Sequence, residues 1–350
     1  MWRYVVRRLL LGLLTVAAIS FVVFTLSYLL PEKPYAALLN RPNQSQASKE
    51  RILHRFGADK PFLGQYAVFV KNLGKPLWTW AFCSPDGVDN YTPCAPHRPE
   101  PPDLGYSVDL HDSVAHAIAI RAPATIVLMG TSYLFQLLIA IPIGVISAVR
   151  QYSKLDNVVT TLSFVGISLP NYWFASLLIY AFAIPHGTHA GILPVGGTGD
   201  LSFTMHGLAS ASQHLVLPVI VLAVQGIAVY ARYTRSSMLD VLSQDYVRTA
   251  KAKGLSGPAV VLRHAFRNSL LPLITLFGLE LPQLFVGAVI TEFVFNWHGM
   301  GQLFVNQIEA NDLPTVVGLV LVLSVFVVIG NLCADLAYTK ADPRISYEAA

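Results

Sequence analysis

The sequence predicts an all-α integral membrane protein with six transmembrane helices. Three observations carry this. Of the 350 residues, 54% are hydrophobic and only 13% are charged, whereas soluble domains average about 25% charged. Six stretches reach the roughly 20 mostly apolar residues that a bilayer-spanning helix needs. Lys and Arg in the short connections fall on one side of the bilayer.

The first stretch, 9–30, follows Arg3, Arg7 and Arg8. A signal peptide starts in the same way, but its apolar core is about 7–15 residues long. LLLGLLTVAAISFVVFTLSYLL is longer, and no convincing small-residue cleavage site follows it directly, so an uncleaved helix is expected. The remaining stretches are 122–149, 158–184, 214–231, 269–293 and 315–338. Pro142, Pro170, Pro218, Pro272 and Pro282 fall within or beside them and are expected to kink or interrupt helices.

The basic residues set the orientation. Arg3, Arg7 and Arg8 precede the first span, and Arg150 and Lys154 lie between the second and third. Arg232, Arg235, Arg248, Lys251, Lys253, Arg263 and Arg267 lie between the fourth and fifth, and Lys340 and Arg344 follow the last. The two short connections on the other side, 185–213 and 294–314, contain no Lys or Arg. Segment 31–121 contains ten, but it is longer than the loops to which the rule applies. Both termini are therefore expected in the cytoplasm. The chain divides into 1–30 (N-terminus and first span), 31–121 (extracytoplasmic loop), 122–338 (membrane core) and 339–350 (cytoplasmic tail). The net charge of +4 would suit nucleic acid, but the charges sit where membrane orientation places them, so the expected contact is lipid.

Two loops are too long to be plain connectors. In the inner loop, 232–268, Met238, Leu239, Val241, Leu242, Tyr246 and Val247 recur at near-helical spacing. An amphipathic helix over 236–253 is expected outside the bilayer, ended by Gly254 in a left-handed conformation. A second short helix, 257–267, leads into the fifth span. A basic helix resting on anionic lipid would show the same pattern. The outer loop, 31–121, holds Cys83 and Cys94 in a Pro- and aromatic-rich stretch. In an oxidising compartment they are expected to pair, with reduced thiols as the alternative. Cys333 lies in the last span and reads as a small apolar core residue. No C-x-x-C and no Cys/His cluster with metal spacing occurs, so no metal site is expected.

Charge inside a span is costly and marks a pathway or a buried pair. Glu280, in the fifth span, is the candidate for a substrate path, with pairing to a neighbouring subunit or a place near the membrane interface as the alternatives. Glu292 reads as structural, capping the turn into Phe295-Asn296-Trp297-His298-Gly299. An intramembrane hydrolase would need a nucleophile facing a base. The histidines lie in loops or near the outer interface, and Ser163 and Ser168 have no span-embedded histidine partner. The chain has no G-x-x-x-x-G-K-[ST] phosphate loop, and Gly74-Lys75 is followed by proline. Any energy from ATP must therefore arrive through a partner. The rival from another class is an ion-coupled secondary carrier, which should show repeated halves and midplane ionisable groups. No convincing repeat is visible.

The segment DYVRTAKAKG at 245–254 resembles the EAA loop of binding-protein-dependent ABC importer permeases. The family's Glu-Ala-Ala, three residues and Gly is here Arg248-Thr249-Ala250, three residues and Gly254, a form similar to the dipeptide/oligopeptide/nickel branch. The same branch is matched in order by WRYVVRRLL at 2–10, DKPFLGQY at 59–66, DLGYS at 103–107, SLPNYW at 168–173 and LPVGG at 193–197. HAFRNSLLP at 264–272, VITEFVFNW at 289–297 and DPRI at 342–345 complete the set, which covers nearly the whole chain. There are departures from the pattern. Residues 75–102 look like an insertion, His298 stands where the family often has proline, and Glu280 stands where it more often has an amide.

The resemblance implies a type I ABC importer permease fold and a non-catalytic subunit that imports peptides by alternating access. Nickel chelates or glutathione are alternatives within the branch. It implies four kinds of partner: a homologous permease subunit, two ATPase subunits or domains carrying ATP and Mg, an extracytoplasmic substrate-binding protein, and a bacterial or archaeal cytoplasmic membrane. No cofactor is expected on this chain. ATPase coupling is assigned to Asp245, Tyr246, Val247, Arg248, Thr249, Ala250, Gly254 and Leu255. In that assignment Val247 and Ala250 make close apolar contact with the ATPase groove.

Overall fold

In a computed structural model, the described residues are 2–29, 57–73, 109–185, 191–200, 204–280, 282–286 and 288–341, with a few isolated positions between 39 and 107. Cys83 and Cys94, and so their expected disulfide, lie outside them. The first half of the chain holds α1 (Trp2–Leu29), α2 (Phe62–Leu73), α3 (Val114–Val149), α4 (Lys154–Ser168) and α5 (Asn171–Leu178), the last continued by a π-helical turn, Ile179–Ala183. Then come α6 (Met205–Leu242), α7 (Asp245–Ala252) and α8 (Arg267–Glu280), the last entered through a turn at Gly257–Ala259 and a π-helical run, Val260–Phe266. The chain closes with α9 (Gln283–Val286), α10 (Val289–Val294), α11 (Met300–Glu309) and α12 (Leu313–Ala341). Among the described residues there is no strand.

Four helical segments are long and apolar enough to cross a membrane: Val6–Leu29, Val114–Val149, Ala209–Leu242 and Leu313–Ala334. The stretch 158–184 is divided between α4 and α5, which meet at 100°, the geometry of a broken span or of a re-entrant loop. Pro170 causes the break, because it has no N–H to donate and disfavours helix at the residue before it. Leu169 is extended, and its carbonyl accepts from Gln225 Nε2 on α6 at 2.8 Å. The apolar stretch 269–293 is divided among α8, α9 and α10, with Pro282 between the first two. Pro142, Pro218 and Pro272 stay inside helices.

Several helices run past their apolar stretches. At 38 residues, α6 is about 57 Å long, nearly twice the hydrocarbon thickness. Its extension corrects the expected amphipathic helix over 236–253. Met238, Val241 and Leu242 belong to the end of α6, where they pack with Ala148 and Ala265. The helix stops at Ser243, and Gln244 is extended. Ser243 Oγ and Gln244 Nε2 both donate to the Asp240 carbonyl, the local competition that makes such residues poor helix continuers. At the opposite end, α3 begins at Val114, capped by Ser113, because Val114, Ala115 and Ile118 are buried against Leu104, Leu303 and Leu319.

The centre of the molecule is the packing of α3 on α6. Ala140, Tyr230, Ala231 and Leu273 form one buried cluster where α8 joins them. Gly144 lets α3 and α6 close up, since a Cβ there would collide with Thr234 and the Ala231 carbonyl. Gln136 reaches across from α3 to donate to the Leu222 carbonyl at 3.3 Å.

Candidate functional site

The α6–α8 connection forms a hairpin braced from within the chain. Asp245 opens α7, where an acid suits the positive end of the helix. The helix ends in a Schellman turn: Gly254 N–H donates to the Lys251 carbonyl at 3.0 Å, and Leu255 N–H donates to the Ala250 carbonyl at 3.4 Å. Gly254 has φ +78°, the left-handed value expected from the sequence. A Cβ on Gly254 would touch nothing within 4 Å, so backbone conformation alone calls for glycine here.

Val247 and Ala250 are buried against Val260 of the chain's own π-helical run, flanked by Val241 and Leu242. This differs from the apolar contact with a partner that the resemblance implied. With that face turned inward, the outward face consists of Asp245, Tyr246, Arg248, Thr249 and Lys251, followed by exposed Leu255. Asp245 and Arg248 form an exposed pair at 3.7 Å, which contributes little to stability. The returning segment is pinned at three points. Val260 docks under α7, Ala265 docks on Ala148 and Met238, and Asn268 Nδ2 donates to Tyr246 Oη at 2.8 Å. Further along, Ser237 Oγ donates to the Ser269 carbonyl at 2.9 Å.

A second brace went unread in the sequence. Arg235, on α6 near the hairpin, grips Asp156 on α4 with both ends of its fork, Nε at 2.5 Å and Nη2 at 2.7 Å. Asp156 is 2% exposed and also accepts from Ser147 Oγ and the Tyr152 N–H. This carboxylate joins three elements: the end of α3, the start of α4 and the stem of the hairpin. The two residues are 79 apart in sequence, and no local pattern links them.

On the far side of the molecule, Glu292 is fully buried and does cap a turn, as expected. It accepts from the N–H groups of Gly301 at 2.7 Å and Gln302 at 3.2 Å, at the start of α11, and from Thr125 Oγ1 at 3.0 Å. Trp297, also fully buried, donates from Nε1 to the Ala124 carbonyl at 2.9 Å. A carboxylate at a helix start with three donors is a structural fastener between α3 and the α10–α11 corner.

Glu280 sits at the last residue of α8, half-buried. Tyr230 Oη on α6 donates to its Oε2 at 2.7 Å, and Tyr133 Oη on α3 donates to its carbonyl at 3.3 Å. No group of three or more His, Cys, Asp or Glu side chains that could hold a metal ion occurs among the described residues.

Comparison with known proteins fits this arrangement. Residues 140–347 match the family described as binding-protein-dependent transport system inner membrane component, and residues 1–129 match its N-terminal companion. The oligopeptide transport system permease protein AppB of Bacillus subtilis is 36% identical over 98% of this chain and 99% of its own length. The di/tripeptide permease DppB of Pseudomonas aeruginosa is 33% identical, over 99% and 100%. The probable D,D-dipeptide permease DdpB of Escherichia coli is 37% identical, over 95% and 94%.

Proposed function

The chain belongs to the family of binding-protein-dependent transport inner membrane components, which are non-catalytic permease subunits of ABC transporters, and on that premise we propose that it forms one half of the passage of an ATP-driven peptide importer. It pairs with a homologous permease, receives peptide from an extracytoplasmic binding protein, and opens alternately to the two sides. Both termini and the α7 hairpin face the cytoplasm, where two ATPase subunits carry the ATP and Mg. Peptide cargo is supported by relatives that are named as peptide permeases and align over nearly the whole chain.

The observation that carries the coupling role is the α7 hairpin. It is a short helix whose apolar face is spent on its own chain and whose charged face is free. A helix fixed to α6 and α8 in this way moves with them, so a push on its outer face reaches two spans at once. Arg235 and Asp156 extend that connection to α3 and α4. The outer face would meet the ATPase through Asp245, Tyr246, Arg248 and Thr249, while Gly254 and Leu255 shape the turn behind it.

Site-directed cross-linking tests this reading. A cysteine at exposed Thr249 should cross-link to the co-purified ATPase, and one at buried Val260 should not. Cross-linking of Thr249→Cys to lipid alone, with the ATPase present in the complex, would contradict it.

A further inference from the structure

We infer that Glu280 is the site in the passage that takes the primary ammonium group of the peptide in transit. The inference rests on the peptide-import reading above.

Three features of the structure point to it. First, Glu280 is a carboxylate inside an apolar stretch, 269–293. It lies roughly 20 Å along the helix axis from the start of α8, at about 1.5 Å per residue. No Lys or Arg pairs with Glu280 among the described residues, and such acids normally find a cation. Second, the carboxylate is aimed and only half used. Tyr230 holds Oε2, Tyr133 holds the main-chain carbonyl of the same residue, and Oε1 has no donor among the described residues. Tyr230 is fully buried and Tyr133 is 8% exposed, whereas Glu280 keeps partial exposure. Third, Glu280 stands where the fifth apolar stretch breaks between α8 and α9. Broken helices at membrane depth occur where the backbone is covered by protein or lines a watery path. The C-terminal end of α8 also favours positive charge.

The ligand chemistry follows from these features. The site offers one free carboxylate oxygen and the negative end of a helix, and its neighbouring hydroxyls are already committed. It therefore selects a cation that can donate hydrogen bonds. A peptide's α-ammonium is that group, with three N–H donors and a full charge at neutral pH. A purely structural role as acceptor for Tyr230 would be served as well by an amide.

The amide substitution is therefore the test, made in the complete complex reconstituted in vesicles with saturating peptide-loaded binding protein. Glu280→Gln keeps an acceptor for Tyr230 and removes the charge. It is expected to lower peptide taken up per ATP hydrolysed by fivefold or more, with assembly and thermal midpoint unchanged. Glu280→Asp is expected to recover most of the loss. Replacing Na+ and K+ by tetramethylammonium should leave the wild type unaffected. Wild-type coupling in Glu280→Gln overturns the inference, as does failure of Asp to rescue. Dependence of the wild type on Na+ or K+ also overturns it, because it would make the ligand an inorganic cation. A wild-type complex that takes up no peptide at all would instead overturn the peptide reading on which the inference stands.

Discussion

Replacing Gly254 separates the backbone requirement of the proposed coupling turn from its steric surroundings. At φ +78° an L-residue pays roughly 1–2 kcal/mol for the left-handed conformation. Because a Cβ would meet nothing within 4 Å, no packing penalty adds to this. One or two kcal/mol changes the balance between a formed and an opened turn by about 5–30-fold. Gly254→Val should sit at or above the upper end, since branching at Cβ restricts the backbone further. Gly254→Ala should sit lower, and Gly254→Asn should keep most function because asparagine tolerates this region. The assay is peptide uptake per ATP hydrolysed in reconstituted vesicles, with the amount of inserted protein as the control. Undiminished coupled uptake in Gly254→Val would refute the reasoning. Equal damage from Asn and Val would also refute it, because side-chain volume rather than φ would then decide.

Two other perturbations address the brace and the outer loop. Asp156→Asn leaves Arg235, whose side chain is 24% exposed, without its counter-charge. It should cost roughly 1–3 kcal/mol, read as a lower thermal midpoint that the double variant Asp156→Asn with Arg235→Gln partly restores; a single variant as stable as the wild type would contradict this. Cys83 and Cys94, expected from the sequence to bond, should be recovered as one linked peptide from non-reduced protein. The short ring should stabilise its local fold by on the order of 2–3 kcal/mol, and two free thiols under oxidising conditions would exclude the bond.

The helical membrane class was legible from composition and run length, because desolvating a helix leaves a dense local signal. The left-handed Gly254 and the capping role of Glu292 were legible too, each from a few adjacent residues. The end of α6 was not. Met238, Leu239, Val241 and Leu242 have the spacing of a surface helix, yet they continue a spanning helix because α3 and the π-helical run cover them. For the same reason Val247 and Ala250 read as a docking face for a partner, although Val260 of the same chain occupies it. A periodic apolar stripe says that a face is covered but not by what. The Asp156–Arg235 brace and the two tyrosines around Glu280 depend on contacts between distant segments, which no window of sequence contains.

The central claim is that this chain provides the passage and a separate ATPase the energy. The most direct measurement is uptake of labelled peptide into vesicles holding both permeases, with ATPase and ATP on one face and loaded binding protein on the other. The expected result is uptake that stops when the ATPase or ATP is withheld and persists when ion gradients are collapsed. Uptake without the ATPase, driven by an ion gradient, would contradict the account.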